Sequence, residues 1–128
     1  MSTYNQEATS RTPTVTLDGA NGLFSLSGES YPEDITSFYG PIRVALNEVF
    51  ENLNQPLQVE IKLVYFNSSS ARVLMELMDQ MDEHAAAGAV INVNWYCNPD
   101  DDITREFAED ISEELNAVTF TIIDELIG

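Results

Sequence analysis

The fold of this chain is decided in the segment Leu63-Val64-Tyr65-Phe66-Asn67-Ser68-Ser69-Ser70-Ala71-Arg72-Val73-Leu74. Before the three serines, apolar residues recur at every second position, as they do in a strand. After the serines they recur at every third or fourth position, as they do in a helix. A strand therefore ends and a helix begins here, and the serines are expected on a tight loop at the helix N-terminus.

The hydroxyl groups at this position have two chemical roles open to them. Serine is an ordinary N-cap, whose side chain accepts a hydrogen bond from the first free backbone amides of a helix. The same amides and the positive end of the helix dipole also stabilise an anion such as a phosphate. Arg72, one helical turn after Ser68, could pair with a phosphoserine. Spacing alone does not choose between capping and phosphorylation.

The pattern on either side predicts strands and helices in the order β-β-α-β-α-β-α-β. Residues 1–12 are polar and aperiodic, which is typical of a flexible lead, so the folded domain is expected to span residues 13–128. A hairpin is predicted from residues 14–17 and 23–27, joined by the turn residues 18–22. Gly40-Pro41 predicts either a short turn followed by a helix or one kinked helix.

The later strands and helices have clearer inner faces. In the central strand, every second residue is apolar and is predicted to face the core: Leu57, Val59, Ile61, Leu63 and Tyr65. The last helix has its predicted inner face at Ile103, Phe107, Ile111 and Leu115. Because strands and helices alternate, we expect right-handed crossovers and parallel pairing. The predicted fold is a single α/β domain with a mixed sheet of about five strands and helices mainly on one face.

The charge balance restricts the partners. Among 128 residues, 22 Asp and Glu oppose five Lys and Arg, for a formal net charge of -17. Nucleic acids and anionic membranes are bound largely through basic residues, so neither is an expected partner. The sequence contains no apolar run of the roughly 18 residues that a membrane helix needs. With one cysteine and no secretory-type opening, a cytoplasmic location is expected.

The residues that could support catalysis or metal binding lack partners. His84 is the only histidine and is expected to face solvent. Cys97 has acidic neighbours, which do not favour a thiolate, so it is interpreted as structural. Asp100, Asp101 and Asp102 lack the spacing, glycine and distal glutamate of a calcium loop, and are expected to cap a helix. We therefore expect no enzymatic activity, no cofactor and no metal.

Several segments, in order, resemble the SiaC family of bacterial regulatory phosphoproteins. The resemblance covers about residues 13–124 and is carried by these stretches: Gly28-Glu29-Ser30-Tyr31-Pro32-Glu33; Leu63 to Ser70; Met75 with Leu77-Met78-Asp79; and Val93-Asn94-Trp95-Tyr96 with Asn98-Pro99-Asp100-Asp101-Asp102. It implies a fold like that of the anti-sigma-factor antagonists, or STAS domains. In that fold, a phosphorylated hydroxyl likewise follows a strand and begins a helix.

The resemblance also implies site residues. The family's acceptor directly follows the Asn of a Tyr-x-Asn-Thr-Ser-Ser pattern, which makes Ser68 the phosphorylation site and Ser69 the competing one. Asn67, Ser70 and Arg72 are then its surroundings. Ser stands here where the family pattern has Thr, which bears on kinase preference. Tyr31, Pro32 and Glu33 are assigned as a candidate partner-docking loop.

The function implied by the resemblance is a partner switch. A Ser/Thr kinase phosphorylates the protein and a PP2C-type phosphatase reverses the modification. The unmodified form binds and activates a diguanylate cyclase, promoting cyclic-di-GMP synthesis and biofilm or aggregation behaviour. The alternative is an anti-sigma-factor antagonist that uses the same serine in a sigma-factor pathway.

Overall fold

The computed structural model describes residues 3–127. The elements follow one another as β1 (Thr3–Gln6), β2 (Thr14–Asp18), β3 (Leu23–Ser30), α1 (Ile35–Asn52), β4 (Leu57–Phe66), α2 (Ser68–Ala86), β5 (Ile91–Cys97), α3 (Asp102–Glu114) and β6 (Thr119–Asp124). All described strands form one sheet, in which spatial order equals chain order, β1-β2-β3-β4-β5-β6. The first two pairings are antiparallel, and the pairings from β3 to β6 are parallel. The predicted hairpin and the predicted parallel half are both confirmed.

The sheet has six strands in place of the predicted five or so. The additional strand is β1, which lies within the predicted flexible lead and pairs with β2 from Thr3↔Asp18 to Gln6↔Val15. Its residues show no apolar alternation because three of the four are exposed and only Tyr4 packs against the core. An edge strand of this kind is defined by its backbone pairing, which periodicity does not detect. Residues 1 and 2 of the predicted lead lie outside the described residues.

The core lies between the three helices and one face of the sheet. That face presents alternate residues of the two central strands, and the helices α1, α2 and α3 supply the opposing apolar side chains. The buried strand residues are Leu57, Val59, Ile61 and Leu63 in β4, and Ile91, Val93, Trp95 and Cys97 in β5. The opposite face is polar and only partly covered, and includes Gln58, Glu60, Lys62, Asn92 and Asn94. The predicted α/β fold with helices on one face is therefore confirmed.

A β-bulge changes the direction of the last residues of β4. Gly28 pairs with Leu63, but Glu29 pairs with Tyr65, so Val64 is the extra residue. Opposite the bulge, Gly28 has a φ of 120°, which residues with a Cβ rarely adopt. The prediction that Tyr65 faces the core is wrong, because the bulge leaves Tyr65 exposed and directs Phe66 toward Phe107 of α3, with ring centroids 5.0 Å apart.

The structure decides one open prediction for a helix and corrects another. α1 is one helix with Pro41 inside it, so the second of the two alternatives, a single helix through Gly40-Pro41, matches the observed extent. In α3 the prediction that Ile103 faces the core is wrong: Thr104, Ala108 and Ile111 are buried, and Ile103 is exposed. Within residues 3–127, no helix is long and apolar enough to cross a membrane.

Candidate functional site

The residue that caps α2 is Asn67. It has extended backbone geometry, and its Oδ1 accepts a hydrogen bond from the backbone N–H of Ser70 at 2.9 Å. Its own N–H donates to the carbonyl of Ser30 at the end of β3. The serine-cap interpretation is therefore wrong, because the three serines are the first residues of the helix itself. Since Asn67 caps the helix, the hydroxyl of Ser68 is not required for capping.

The three serines have different environments. Ser70 is fully buried, and its Oγ lies 2.9 Å from Oγ of Ser30, which lies 2.6 Å from the hydroxyl of Tyr39. This buried chain joins the end of β3 to α1 and α2, and burial raises the pKa of Tyr39 to about 12. Ser68 and Ser69 are exposed. A kinase can therefore reach either of these two, but it cannot reach Ser70 without opening the core.

The exposed serines line a shallow groove between the first turns of α1 and α2. The groove is lined by Ile35, Thr36, Ser68, Ser69, Arg72, Val73 and Glu76. The backbone N–H groups of Ser68 and Ser69 have no acceptor among residues 3–127, as expected for the first two residues of a helix. The site thus combines two accessible hydroxyls and one arginine in the same groove, at a helix start that has two free amides.

All five Lys and Arg residues of the chain lie within residues 3–127. Arg72 differs from the other four in its contacts. Arg11 pairs with Glu33, Arg43 with Glu76, and Arg105 with Asp102 and Asp124, while Lys62 lies over the ring of Tyr96. Arg72 is exposed and makes no ion pair or ring contact within residues 3–127. Among the Lys and Arg residues of this region, only Arg72 can therefore pair with a new anion without giving up an ion pair or a ring contact.

The predicted docking loop lies beside this site and is supported by two residues, Tyr65 and Arg11, that the sequence analysis does not assign to it. Tyr31 makes an edge-to-face contact with Tyr65, with ring centroids 5.7 Å apart. Arg11 lies over the ring of Tyr31, with its guanidinium 5.2 Å from the ring centroid, and it pairs with the carboxylate of Glu33 at 3.6 Å. Pro32 is half-buried and Glu33 is exposed. These contacts depend on the bulge, which exposes Tyr65, and on the packing of Arg11 against the loop.

The other candidate residues have structural surroundings. His84, predicted to face solvent, is instead half-buried and stacked on Phe50, with centroids 4.2 Å apart. Cys97 is buried, and desolvation raises the pKa of its thiol, which confirms the structural interpretation. Asp101 caps α3 by accepting from the N–H and hydroxyl of Thr104, as predicted for this acidic run. Within residues 3–127, no three His, Cys, Asp or Glu side chains are placed to hold a metal ion.

Several proteins are similar to this chain in sequence and in fold. Over 114 residues it is 26% identical to an uncharacterized protein of Pseudomonas aeruginosa strain UCBPP-PA14, covering 89% of this chain and 90% of that protein. The crystal structure of apo-SiaC from Pseudomonas aeruginosa matches with a TM-score of 0.87 and 27% identity, over 96% of this chain and 99% of that one. A third match is the crystal structure of the diguanylate cyclase SiaD in complex with its activator SiaC from Pseudomonas aeruginosa. It has a TM-score of 0.89 and 24% identity, over 95% of this chain and 99% of that one.

The family model of the SiaC regulatory phosphoproteins matches residues 6–125, nearly the whole chain. The match includes the Asn67 cap, the exposed serines and the parallel half of the sheet. The chain belongs to the SiaC family of regulatory phosphoproteins.

Proposed function

We propose that this protein is a non-enzymatic signalling protein that is switched by reversible phosphorylation of Ser68 and that binds and regulates a diguanylate cyclase when Ser68 is unmodified. The observation that supports this most strongly is the environment of Ser68. An exposed hydroxyl, not needed for capping, lies one helical turn from an unpaired arginine in a member of a regulatory phosphoprotein family. Ser69 shares the exposure and is the competing acceptor.

The first step of the proposal is that a phosphate on Ser68 is stabilised locally. It adds about 1.5 to 2 negative charges at neutral pH. The free amides of Ser68 and Ser69 and the positive end of the α2 dipole favour an anion there. Arg72 lies four residues after Ser68 and three after Ser69, and both spacings place the two side chains on the same helical face. The phosphate therefore orders Arg72 and leaves the fold unchanged.

The second step is that the phosphate weakens partner binding. A cyclase surface that covers the groove in the unmodified state would have to bury the phosphate in the modified state, and burying a charge without a full set of partners is costly. The phosphate also adds like charge to a chain of formal net charge -17. SiaC of Pseudomonas aeruginosa, which has the same fold, is the activator of the cyclase SiaD in their complex. We assign a partner of that class to this chain.

The switch requires two modifying enzymes. A Ser/Thr kinase adds the phosphate and a PP2C-type phosphatase removes it, and a cytoplasmic location gives both enzymes access to Ser68. The loop of Tyr31, Pro32 and Glu33 joins β3 to α1 beside the groove, and we assign it to partner docking. The protein itself acts by binding, without a chemical step of its own.

The proposal is tested by measuring binding of the full-length chain to the diguanylate cyclase encoded by the same organism. Ser68→Ala should bind as the unmodified protein does. Ser68→Asp and the kinase-treated protein should bind at least about tenfold more weakly, which is about 1.4 kcal/mol. Ser69→Asp is the matched control, because it adds the same charge one residue away on the same exposed turn, and it should weaken binding less.

Two results would contradict the proposal. In the first, Ser69→Asp weakens cyclase binding while Ser68→Asp leaves it unchanged, which moves the switch to Ser69. In the second, purification of the chain from its own cells recovers an anti-sigma kinase together with a sigma factor and no cyclase. That outcome would support the anti-sigma-factor antagonist in its place.

A further inference from the structure

Three of the five exposed large apolar side chains among residues 3–127 lie at one end of the molecule. They are Tyr65, Ile103 and Leu126, which are 51%, 81% and 83% exposed. Tyr65 is the next-to-last residue of β4, Ile103 is the second residue of α3, and Leu126 follows β6, so all three belong to the carboxyl edge of the parallel strands or to the segments next to it. The other two, Val44 and Val90, are 59% and 56% exposed and lie in α1 and before β5.

The three side chains belong to one continuous surface. Tyr65 and Ile103 line the same depression, together with Val64. Val64 also lines the next depression, together with Leu126 and Ile127. We call Val64, Tyr65, Ile103 and Leu126 the apolar strip. The residues after β6 are held at this edge because Glu125 donates its N–H to the carbonyl of Cys97 and Ile127 donates to Oδ1 of Asn98.

The β-bulge is the reason that the strip exists. If Val64 were paired regularly and no bulge formed, alternation would direct Tyr65 into the core on the same face as Leu63. The bulge interrupts regular pairing in a parallel ladder, where bulges are rare, and places an aromatic ring on the surface. Tyr31 then supports the Tyr65 ring by an edge-to-face contact. An aromatic side chain held rigidly on the surface is a typical binding anchor.

Acidic side chains surround the strip. Asp101 lines the depression of Tyr65 and Ile103, and Glu125 lines that of Leu126. Asp102 and Asp124 stand next to these residues in the chain, with side chains 94% and 62% exposed. The two nearby cations are already engaged: Arg105 by Asp102 and Asp124, and Lys62 by the ring of Tyr96. The border of the strip therefore carries excess negative charge.

We propose that the apolar strip is a second docking surface, whose occupant is a partner segment with apolar side chains flanked by Lys or Arg. The apolar side chains cover Tyr65, Ile103 and Leu126, and the basic side chains pair with the acidic border. The strip shares no lining residue with the groove that contains Ser68 and Arg72. The two surfaces are neighbours, because Tyr31 of the docking loop packs against Tyr65 of the strip. A failure of peptide binding at the strip would nevertheless leave the proposed switch standing, since the peptide test measures neither the phosphorylation of Ser68 nor its effect on cyclase binding.

The test uses the full-length chain and a fluorescein-labelled 16-residue peptide with Leu at helical spacing and Lys at the remaining positions. Fluorescence anisotropy measures its Kd. Two control peptides separate the contributions: one replaces each Leu by Ser at the same charge, and the other replaces each Lys by Glu. The strip variant is Ile103→Ser with Leu126→Ser. The matched control variant is Val44→Ser with Val90→Ser, which removes two exposed apolar side chains elsewhere.

The strip variant should bind the Leu and Lys peptide at least tenfold more weakly than the natural chain, and the control variant should bind within twofold. Both variants should keep the natural thermal midpoint, because all four side chains are mostly exposed. Two results would overturn the proposal. One is an equal loss of affinity in both variants. The other is equal binding of the Ser-substituted peptide, since that would mean that charge alone holds the peptide.

Discussion

The helices α2 and α3 begin at the same edge of the sheet with similar cap hydrogen bonds, but the start of α2 is neutral and the start of α3 is acidic. Each follows a parallel strand, and each is capped by an Asn or Asp whose Oδ1 accepts from the backbone N–H three residues later, at 2.9 Å for Asn67 and 3.0 Å for Asp101. The cap of α2 is neutral and its first turn contains no acid. The cap of α3 is a carboxylate, followed at once by Asp102.

The difference shows which helix start is available to a phosphate. At α3 the carboxylates of Asp101 and Asp102 already occupy the position that a bound anion would take at the positive end of the dipole. At α2 that position is free, and Arg72 is unpaired. The cap of α1, Asp34, is also a carboxylate. Among the three described helices, only α2 combines a neutral cap with accessible serine hydroxyls.

The largest effect is expected from the buried contacts that anchor α2, which α3 lacks. Ser30→Ala removes the hydroxyl that joins Tyr39 to Ser70 and leaves two buried polar groups without this partner. We expect the free energy of unfolding to fall by about 2 kcal/mol. Urea denaturation measures it. Ser25→Ala, on the partly covered face of the same strand, is the matched control and should change it by less than about 0.5 kcal/mol. An equal loss in both variants would show that the buried chain adds no specific stability.

An intermediate effect is expected when the two caps are exchanged. Asn67→Asp gives α2 the acidic cap of α3, and Asp101→Asn gives α3 the neutral cap of α2. Each should remain within about 0.5 kcal/mol of the natural stability, because Asn and Asp cap about equally well. After stoichiometric phosphorylation, the Asn67→Asp protein should lose about 1 kcal/mol relative to phosphorylated natural protein through like-charge repulsion, and Asp101→Asn should lose none. Thermal melting of phosphorylated and unmodified forms measures the difference, and equal losses would contradict the comparison.

The smallest effect is expected in the pH dependence of the caps. Hydrogen bonds from the hydroxyl and N–H of Ser37 lower the pKa of Asp34 below its ordinary 3.8. Because the pKa of Asp34 is lower in the folded state than in the unfolded state, its carboxylate contributes its full stabilisation of the fold above pH 3.8. This contribution is lost as the pH falls through the pKa of the folded state. The stability difference between the natural protein and Asp34→Asn should therefore shrink between about pH 5 and pH 3. The stability difference between the natural protein and Asn67→Ala should stay constant over the same pH range, because Asn67 does not titrate. If both stability differences changed with pH in the same way, the result would be inconsistent with this account.

The sequence predicts the parts of the fold that depend on periodicity. Alternation in residues 57–63 and helical spacing after Ser70 predict β4 and α2, and the alternation of strands and helices predicts the parallel half. The edge strand β1 is missed because Thr3, Asn5 and Gln6 are exposed and only backbone pairing defines it. Tyr65 is assigned to the wrong face because a bulge shifts the side-chain direction by one position, and nothing local in residues 63–66 marks that shift.

The candidate site is predicted in composition but not in arrangement. The order Asn67-Ser68-Ser69-Ser70 places three hydroxyls at a helix start, but it does not distinguish the cap from the acceptor. The cap is identified by the hydrogen bond from the N–H of Ser70 to Oδ1 of Asn67. The accessible hydroxyls are identified by tertiary contacts, because Ser30 and Tyr39 bury Ser70 whereas Ser68 faces an open groove. That Arg72 has no partner also cannot be predicted from the sequence. Glu76, one helical turn after Arg72, pairs instead with Arg43 of α1, and that contact joins residues far apart in sequence.

The most direct test of the central claim is the position of the phosphate. The full-length chain is incubated with its cognate Ser/Thr kinase and ATP, and fragmentation mass spectrometry of the peptide containing residues 63–76 locates the modification. Ser68→Ala and Ser69→Ala are treated in parallel. The account predicts phosphate on Ser68 in the natural chain and in Ser69→Ala, and no incorporation into Ser68→Ala. Phosphate found only on Ser69, or undiminished incorporation into Ser68→Ala, would contradict it.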